Sequence, residues 1–220
     1  MDTPLIKRAY NLGLKTVANF ESLSEEQIAY YEAHLDQIPE ALARGFVILE
    51  KFVLLVDLGI ITVPKGYVHG TRLATFKKQN QKKFYGYNDA ISDENFPNPS
   101  HILKPGDKLH VQAFKQIVPG QTTSAERMAF LATQKAVHVG AQGASLVFEL
   151  KRDELPKGKW YASFDEEDRL WRDAGGYRRV PIVRACSGGG FGFGLGNFGD
   201  PWNDGNVLLC FRDLEKSLDA

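Results

Sequence analysis

Between Phe191 and Phe198 the chain reads FGFGLGNF, glycine alternating with large apolar residues. A period of two belongs to an extended strand, so Phe191, Phe193 and Leu195 are predicted on one face and Gly192, Gly194 and Gly196 on the other. One face is apolar and the other is bare backbone. Glycine inside a strand costs stability, which implies that something needs close access to that backbone. Two occupants fit. An aromatic side chain of the same protein, Trp160 or Trp202, can lie over the glycines. Alternatively, a flat ligand such as a sugar or a base can stack in a shallow groove beside an exposed tryptophan.

The remaining pattern places this strand within an α+β fold: N-terminal helices, then a mainly antiparallel sheet domain with one inserted helix. Ser24 and Gln27 form a capping box ahead of Ile28, Tyr31 and Leu35, and helical spacing then runs from Pro39 to Leu58. Gly59 is the expected helix stop. The period changes there, dividing the chain into a helical element, 1–59, and a mixed domain, 60–220, or one continuous domain. After Gly59, IITV and YVHGTRLATF read as a hairpin around Pro64-Lys65-Gly66, and KKQNQKKF reads as a basic loop. A strand follows Pro105-Gly106-Asp107. Thr123 and Glu126 form a second capping box for the inserted helix, which is expected to end at Gly140. ASLVFEL, KWYASF, YRRVPIVRA and NVLLCF read as further strands, with Pro181 putting its own at an edge or a bulge.

Composition narrows the classes. An apolar share of 43% with 25% charged residues fits a folded domain, and 27 basic against 27 acidic residues give no overall attraction to nucleic acid. Glu50, Lys51 and Asp57 break the most apolar stretch too often for a membrane span. Two cysteines, Cys186 and Cys210, are too few for a disulfide framework, and MDTPLIKRAY lacks a secretory apolar core. A cytoplasmic setting without membrane contact is expected.

From Thr122 to Arg212 the order is a Thr-capped helix, Gly140-Ala141-Gln142-Gly143, a strand, a Gly-turn hairpin, a glycine and aromatic strand, Pro201-Trp202, Gly205 and a last strand ending in Phe-Arg. This resembles families of uncharacterised bacterial proteins with the same glycine, tryptophan, glycine rhythm. The resemblance implies a small α+β module and carries no activity. Trp202-Asn203-Asp204 is also similar to the WND triplet of C-type lectins, which implies calcium held by Asn and Asp oxygens and a sugar bound through it. The disulfides and the Glu-Pro-Asn loop of those domains are missing; Phe96-Pro97-Asn98 stands without the carboxylate.

The candidate binding residues are therefore Phe191, Phe193, Trp160, Trp202, Asn203 and Asp204. Lys77, Lys78, Lys82 and Lys83, near Phe76, Phe84, Tyr85 and Tyr87, are the candidate nucleic-acid contacts. Asp165-Glu166-Glu167-Asp168 offers oxygen ligands to a cation or, as a solvated turn, pairs with Arg169, Arg172, Arg178 and Arg179. Cys186 with His110 or His138 is the one arrangement suited to nucleophilic catalysis. No phosphate-cradling, zinc-binding or nucleophile-elbow motif occurs. The expected function is binding of a protein or a small polar or aromatic ligand, without cofactor and without catalysis. The alternatives are a lectin-like calcium and carbohydrate binder, a Cys/His hydrolase and an accessory protein for RNA or DNA.

Overall fold

A computed structural model describes residues 29, 30, 33, 51–117 and 120–214. The chain divides into two compact units, Met1–Phe52 with Ile117–Gly120 and Val53–Gln116 with Gln121–Ala220. In the first, Ala29, Tyr30 and Ala33 are helical; the rest of the expected N-terminal helices lie outside the described residues. The second unit carries nearly everything that follows.

The fold is α+β. An eight-stranded mixed sheet has the order β1-β3-β8-β4-β6-β7-β2, with β5 beside β6. The strands are β1 (Phe52–Thr62), β2 (Phe84–Tyr87), β3 (Lys108–Gln116), β4 (Lys159–Ala162), β5 (Trp171–Arg172), β6 (Arg178–Ala185), β7 (Phe191–Asn197) and β8 (Asn206–Asp213). Pairs β3–β8, β4–β6, β5–β6 and β6–β7 are antiparallel. Pairs β2–β7 and β4–β8 are parallel.

The glycine and phenylalanine segment is a strand, as its period requires. Phe193 lies against Phe76 and Phe84 at ring separations of 5.5 and 5.9 Å, and Phe191 meets Phe148 edge-on at 5.3 Å. These rings belong to the core under two helices, α1 (Arg72–Asn80) and α3 (Gly140–Lys151). A third helix, α2 (Ser124–Thr133), carries the reciprocal Thr123–Glu126 cap read from the sequence.

Five sequence expectations are corrected. The inserted helix expected to end at Gly140 stops at Thr133, and Gly140 instead opens α3. The helix expected to reach Leu58 is a strand from Phe52, and Gly59, at φ 70°, lies inside it with its N–H bonded to Asp57 Oδ1. The second half of YVHGTRLATF and the start of KKQNQKKF form α1. Its Leu73 and Ala74 N–H groups donate to the Asp93 carboxylate, a cap from twenty and nineteen residues away that local spacing does not reveal. ASLVFEL belongs to α3, so the described residues of the second unit hold three α-helices where one inserted helix was expected. Residues 140–148 are all buried, and a short apolar run buried on every side reads alike as helix or strand. Pro181 occupies a central strand. Its carbonyl accepts from Ser163 N–H one residue past the last β4 pairing, Ala162 with Ile182, and the reciprocal bond to Ser163 is the one proline cannot make, so its missing donor falls where the β4 ladder ends rather than inside it.

Candidate functional site

The sheet has a second face, opposite α1 and α3, and register defines its residues. Asn206 pairs with Trp160, Trp160 with Arg184 and Arg184 with Gly192. On the next strand a register irregularity between Phe84 and Gly86 turns Tyr85 over Gly192. A Cβ on Gly192 would stand 2.9 Å from the Tyr85 hydroxyl oxygen. One row thus crosses five strands as Asn206, Trp160, Arg184, Gly192 and Tyr85.

The three glycines meet three fates. Tyr85 covers Gly192, while Trp202 and Ile182 cover Gly196, each 2.8 Å from an added Cβ. Gly194 has open space above it. Intramolecular aromatic cover therefore accounts for two positions, and only one of its rings, Trp202, was named from the sequence.

Trp202 is an anchor of the fold. It is 3% exposed, packs on Phe164 at 5.0 Å, and its indole N–H donates to Ser124 Oγ at 2.8 Å. Beneath it lies Arg127, fully buried, whose guanidinium donates to Thr122 Oγ1, Gln116 Oε1 and the carbonyls of Asn203 and Asn206. Burial pushes Arg127 down to about 10, which leaves it charged at neutral pH. These bonds fasten the 203–206 turn.

Trp160, by contrast, is 39% exposed. It forms one wall of a cleft of about 410 Å³. Ile182, Gly196 and Trp202 also line it, with Asn197, Asp200, Asn203 and Asn206 among its polar lining. The Arg184 guanidinium carbon sits 3.7 Å from the Trp160 ring centroid, a close cation–π stack, and 6.0 Å from that of Tyr85.

The other sequence candidates are distributed as follows. Phe191 and Phe193 face the core, away from the cleft. Asn203 and Asp204 are exposed on the cleft-side turn, but Asn203 Oδ1 accepts from Gly205 N–H, and Asp200 Oδ1 accepts from Asn197 Nδ2. The Asn203 and Asp200 oxygens are thus already engaged within the loop. Lys77 pairs with Asp89 and lies over Tyr87, and Lys83 donates to Asn80 Oδ1, while Lys78 and Lys82 are exposed. These lysines do not line the cleft.

The acidic run disperses to separate partners: buried Asp165 accepts from Ser100 and Glu166, Glu166 meets His138, Glu167 meets Arg178, and Asp168 approaches Arg169. Burial raises the Asp165 carboxyl above its ordinary value, despite those hydrogen bonds. Among the described residues no group of three or more His, Cys, Asp or Glu is placed to hold a metal ion.

Cys186 and the histidines are not brought together. Cys186 lies two residues beyond Arg184, whereas His110 pairs with Arg212, six residues along β8 from the Asn206 level and in the opposite direction. At about 3.3 Å per residue the separation along the strands is about 25 Å. His110 is engaged on both nitrogens, by Asp57 at 2.8 Å and Arg212 at 3.3 Å. Burial works against the Asp57 charge, but bonds from Gly59, His110 and Gln112 together hold its carboxyl below the usual range. His138 follows Val137, which is bridged to Phe211 near that same distant end.

Arg184 was missed as a site residue, and Tyr85 was named only as a ring near the candidate nucleic-acid lysines. The alternation of YRRVPIVRA puts Arg184 on the face of Ile182, a usable signal, but which strands stand beside them is decided by long-range pairing.

No family model, curated protein or solved structure matches this chain. Among the described residues no helix is long and apolar enough to cross a membrane.

Proposed function

We propose that this protein is a cytoplasmic binding module that takes a small, ring-bearing polar ligand in the Trp160 cleft. One observation carries the reading: a half-open indole lines a cleft of about 410 Å³ together with Ile182, Trp202 and the side chains of Asn197, Asn203 and Asn206. Pockets that accept small molecules have this size and this mixture of apolar surface with a few placed polar groups. An indole face stacks on a sugar or base, and the Nδ2 groups of Asn203 and Asn206 are donors at its edges, their Oδ1 atoms accepting backbone N–H groups within the loop. Trp202 contributes by holding the turn that forms one side, rather than by offering its own face. The separation of Cys186 from His110 and His138 favours binding over nucleophilic catalysis. Two free cysteines are consistent with a reducing compartment.

The reading is tested by following tryptophan emission while titrating a panel of neutral and acidic disaccharides, nucleosides and nucleotides. At least one should give a saturable change that disappears in Trp160→Ala, while the urea midpoint of the variant stays near that of the parent. If every panel member leaves the emission of the parent protein unchanged, the reading fails.

A further inference from the structure

Arg184 is the group on this face that the fold leaves least explained. It is half-buried in the sheet, and among the described residues no carboxylate forms an ion pair with it. Its Nε atom is buried and has no hydrogen-bond partner. Its neighbours are Trp160, stacked at 3.7 Å, and Tyr85, 61% exposed, whose ring lies at 6.0 Å and whose hydroxyl is its one polar side-chain neighbour named among the described residues. A charge removed from water without an ion partner is costly, and ring faces return only part of that cost. An apolar residue would fill the same space more cheaply.

The surroundings keep the cation approachable. Gly192, the cross-strand partner of Arg184, has no side chain, and this lets the Tyr85 ring lie down over the strand. Gly194, the next residue on that face, has nothing above it. Trp160 belongs both to this row and to the cleft wall. Arg184 does not itself line the cleft; it covers one face of the indole, and a ligand stacked on the other face reaches this guanidinium, which no carboxylate neutralises among the described residues, past the edge of the ring.

We infer that Arg184 is an anion-recognition residue, and that the ligand of the cleft carries a carboxylate or phosphate on its ring body. This rests on the binding role proposed for the cleft. Planar guanidinium donors match either anion, and a charge-assisted bond of this kind is the strong class of hydrogen bond. Stacking on Trp160 orients the fork, and Tyr85 closes its other side. Two sources share this chemistry: a nucleotide, through its phosphate, and an acidic sugar, through its uronate.

The experiment compares matched pairs by calorimetry on the full chain: AMP against adenosine, and cellobiouronic acid against cellobiose. In the parent protein the anionic member of at least one pair should bind about tenfold or more tightly than its neutral counterpart, and the responding pair identifies the source. Arg184→Gln should abolish that preference. Arg184→Lys should keep part of it, because the charge remains while the fork is lost. Gly192→Ala lifts the exposed Tyr85 ring with little effect on folding, and should weaken the anionic member more than the neutral one. Equal affinity for both members of each pair, or a preference that survives Arg184→Gln, overturns the inference and leaves the cleft reading intact. If no member binds the parent protein, the inference is overturned, and the cleft reading is decided by the wider panel.

Discussion

Trp202 lies directly on Gly196: a methyl group added to the glycine would come within 2.8 Å of the indole Cη2. The bare strand position and the buried ring are two halves of one contact. This links the loop after β7 to the strand itself, and it places the cleft beside a rigid base.

A glycine series reads that contact. Gly196→Ala should lower stability by about 1–3 kcal/mol, because the ring it meets is buried and Ile182 blocks the other side. Gly194→Ala has free space and should be neutral or stabilising by up to about 1 kcal/mol. Urea midpoints measure both. Equal effects at the two positions would contradict the packing of Trp202 on β7.

Trp202→Ala should cost about 3–5 kcal/mol, the range for a large buried side chain. Ser124→Ala strands the indole N–H and the Phe198 carbonyl, which Ser124 Oγ joins, and should cost about 1–3 kcal/mol. Denaturant curves settle the first figure. A loss below about 1 kcal/mol would be incompatible with a buried Trp202.

Arg127→Met leaves Thr122, Gln116 and the carbonyls of Asn203 and Asn206 without their guanidinium donors and should destabilise by about 3 kcal/mol or more. Arg127→Lys should recover only a fraction, since one ammonium cannot span four acceptors. In both variants hydrogen exchange at Asn203, Gly205 and Asn206 should quicken before that of the β8 core. Unchanged protection there would argue against Arg127 as the fastener of the turn.

The two thiols should behave differently. Cys186 is half-exposed and should react with a thiol reagent in the native state, whereas Cys210 should react only on unfolding. Burial pushes the Cys210 thiol up to about 11, from an ordinary value near 9. With the folded value raised, its contribution to stability is complete below about pH 9 and is lost as pH rises through about 11. The total is on the order of 2–3 kcal/mol. Urea midpoints between those pH values should fall more steeply in the parent than in Cys210→Ala. Parallel slopes would count against burial of this thiol.

Several elements were legible because their signals are local. The Thr123–Glu126 cap lies within one helical turn, and the alternation of residues 191–197 specifies both faces of β7 by geometry alone. Those of β3 follow for the same reason, whereas β4, β6 and β8 were read as strands without their faces. What could not be read depends on distant residues: the Asp93 cap that makes 72–80 a helix, and the all-round burial that makes 140–148 one. In the site, Trp160 and Asn203 were visible by residue type. Tyr85 and Arg184 were not, because their meeting depends on a register irregularity in β2 and on Gly192 two strands away from Trp160.

Residues 191–197 thus carry their own strand and their own division into a ring face and a bare face, since side-chain direction along a strand needs no partner. Which ring would cover which glycine, and which glycine would stay open, was decided only when eight strands found their order and brought Tyr85, Arg184 and Trp160 into one row. Register and strand order are properties of the whole sheet, summed over contacts far apart in the chain, and no window of sequence contains them.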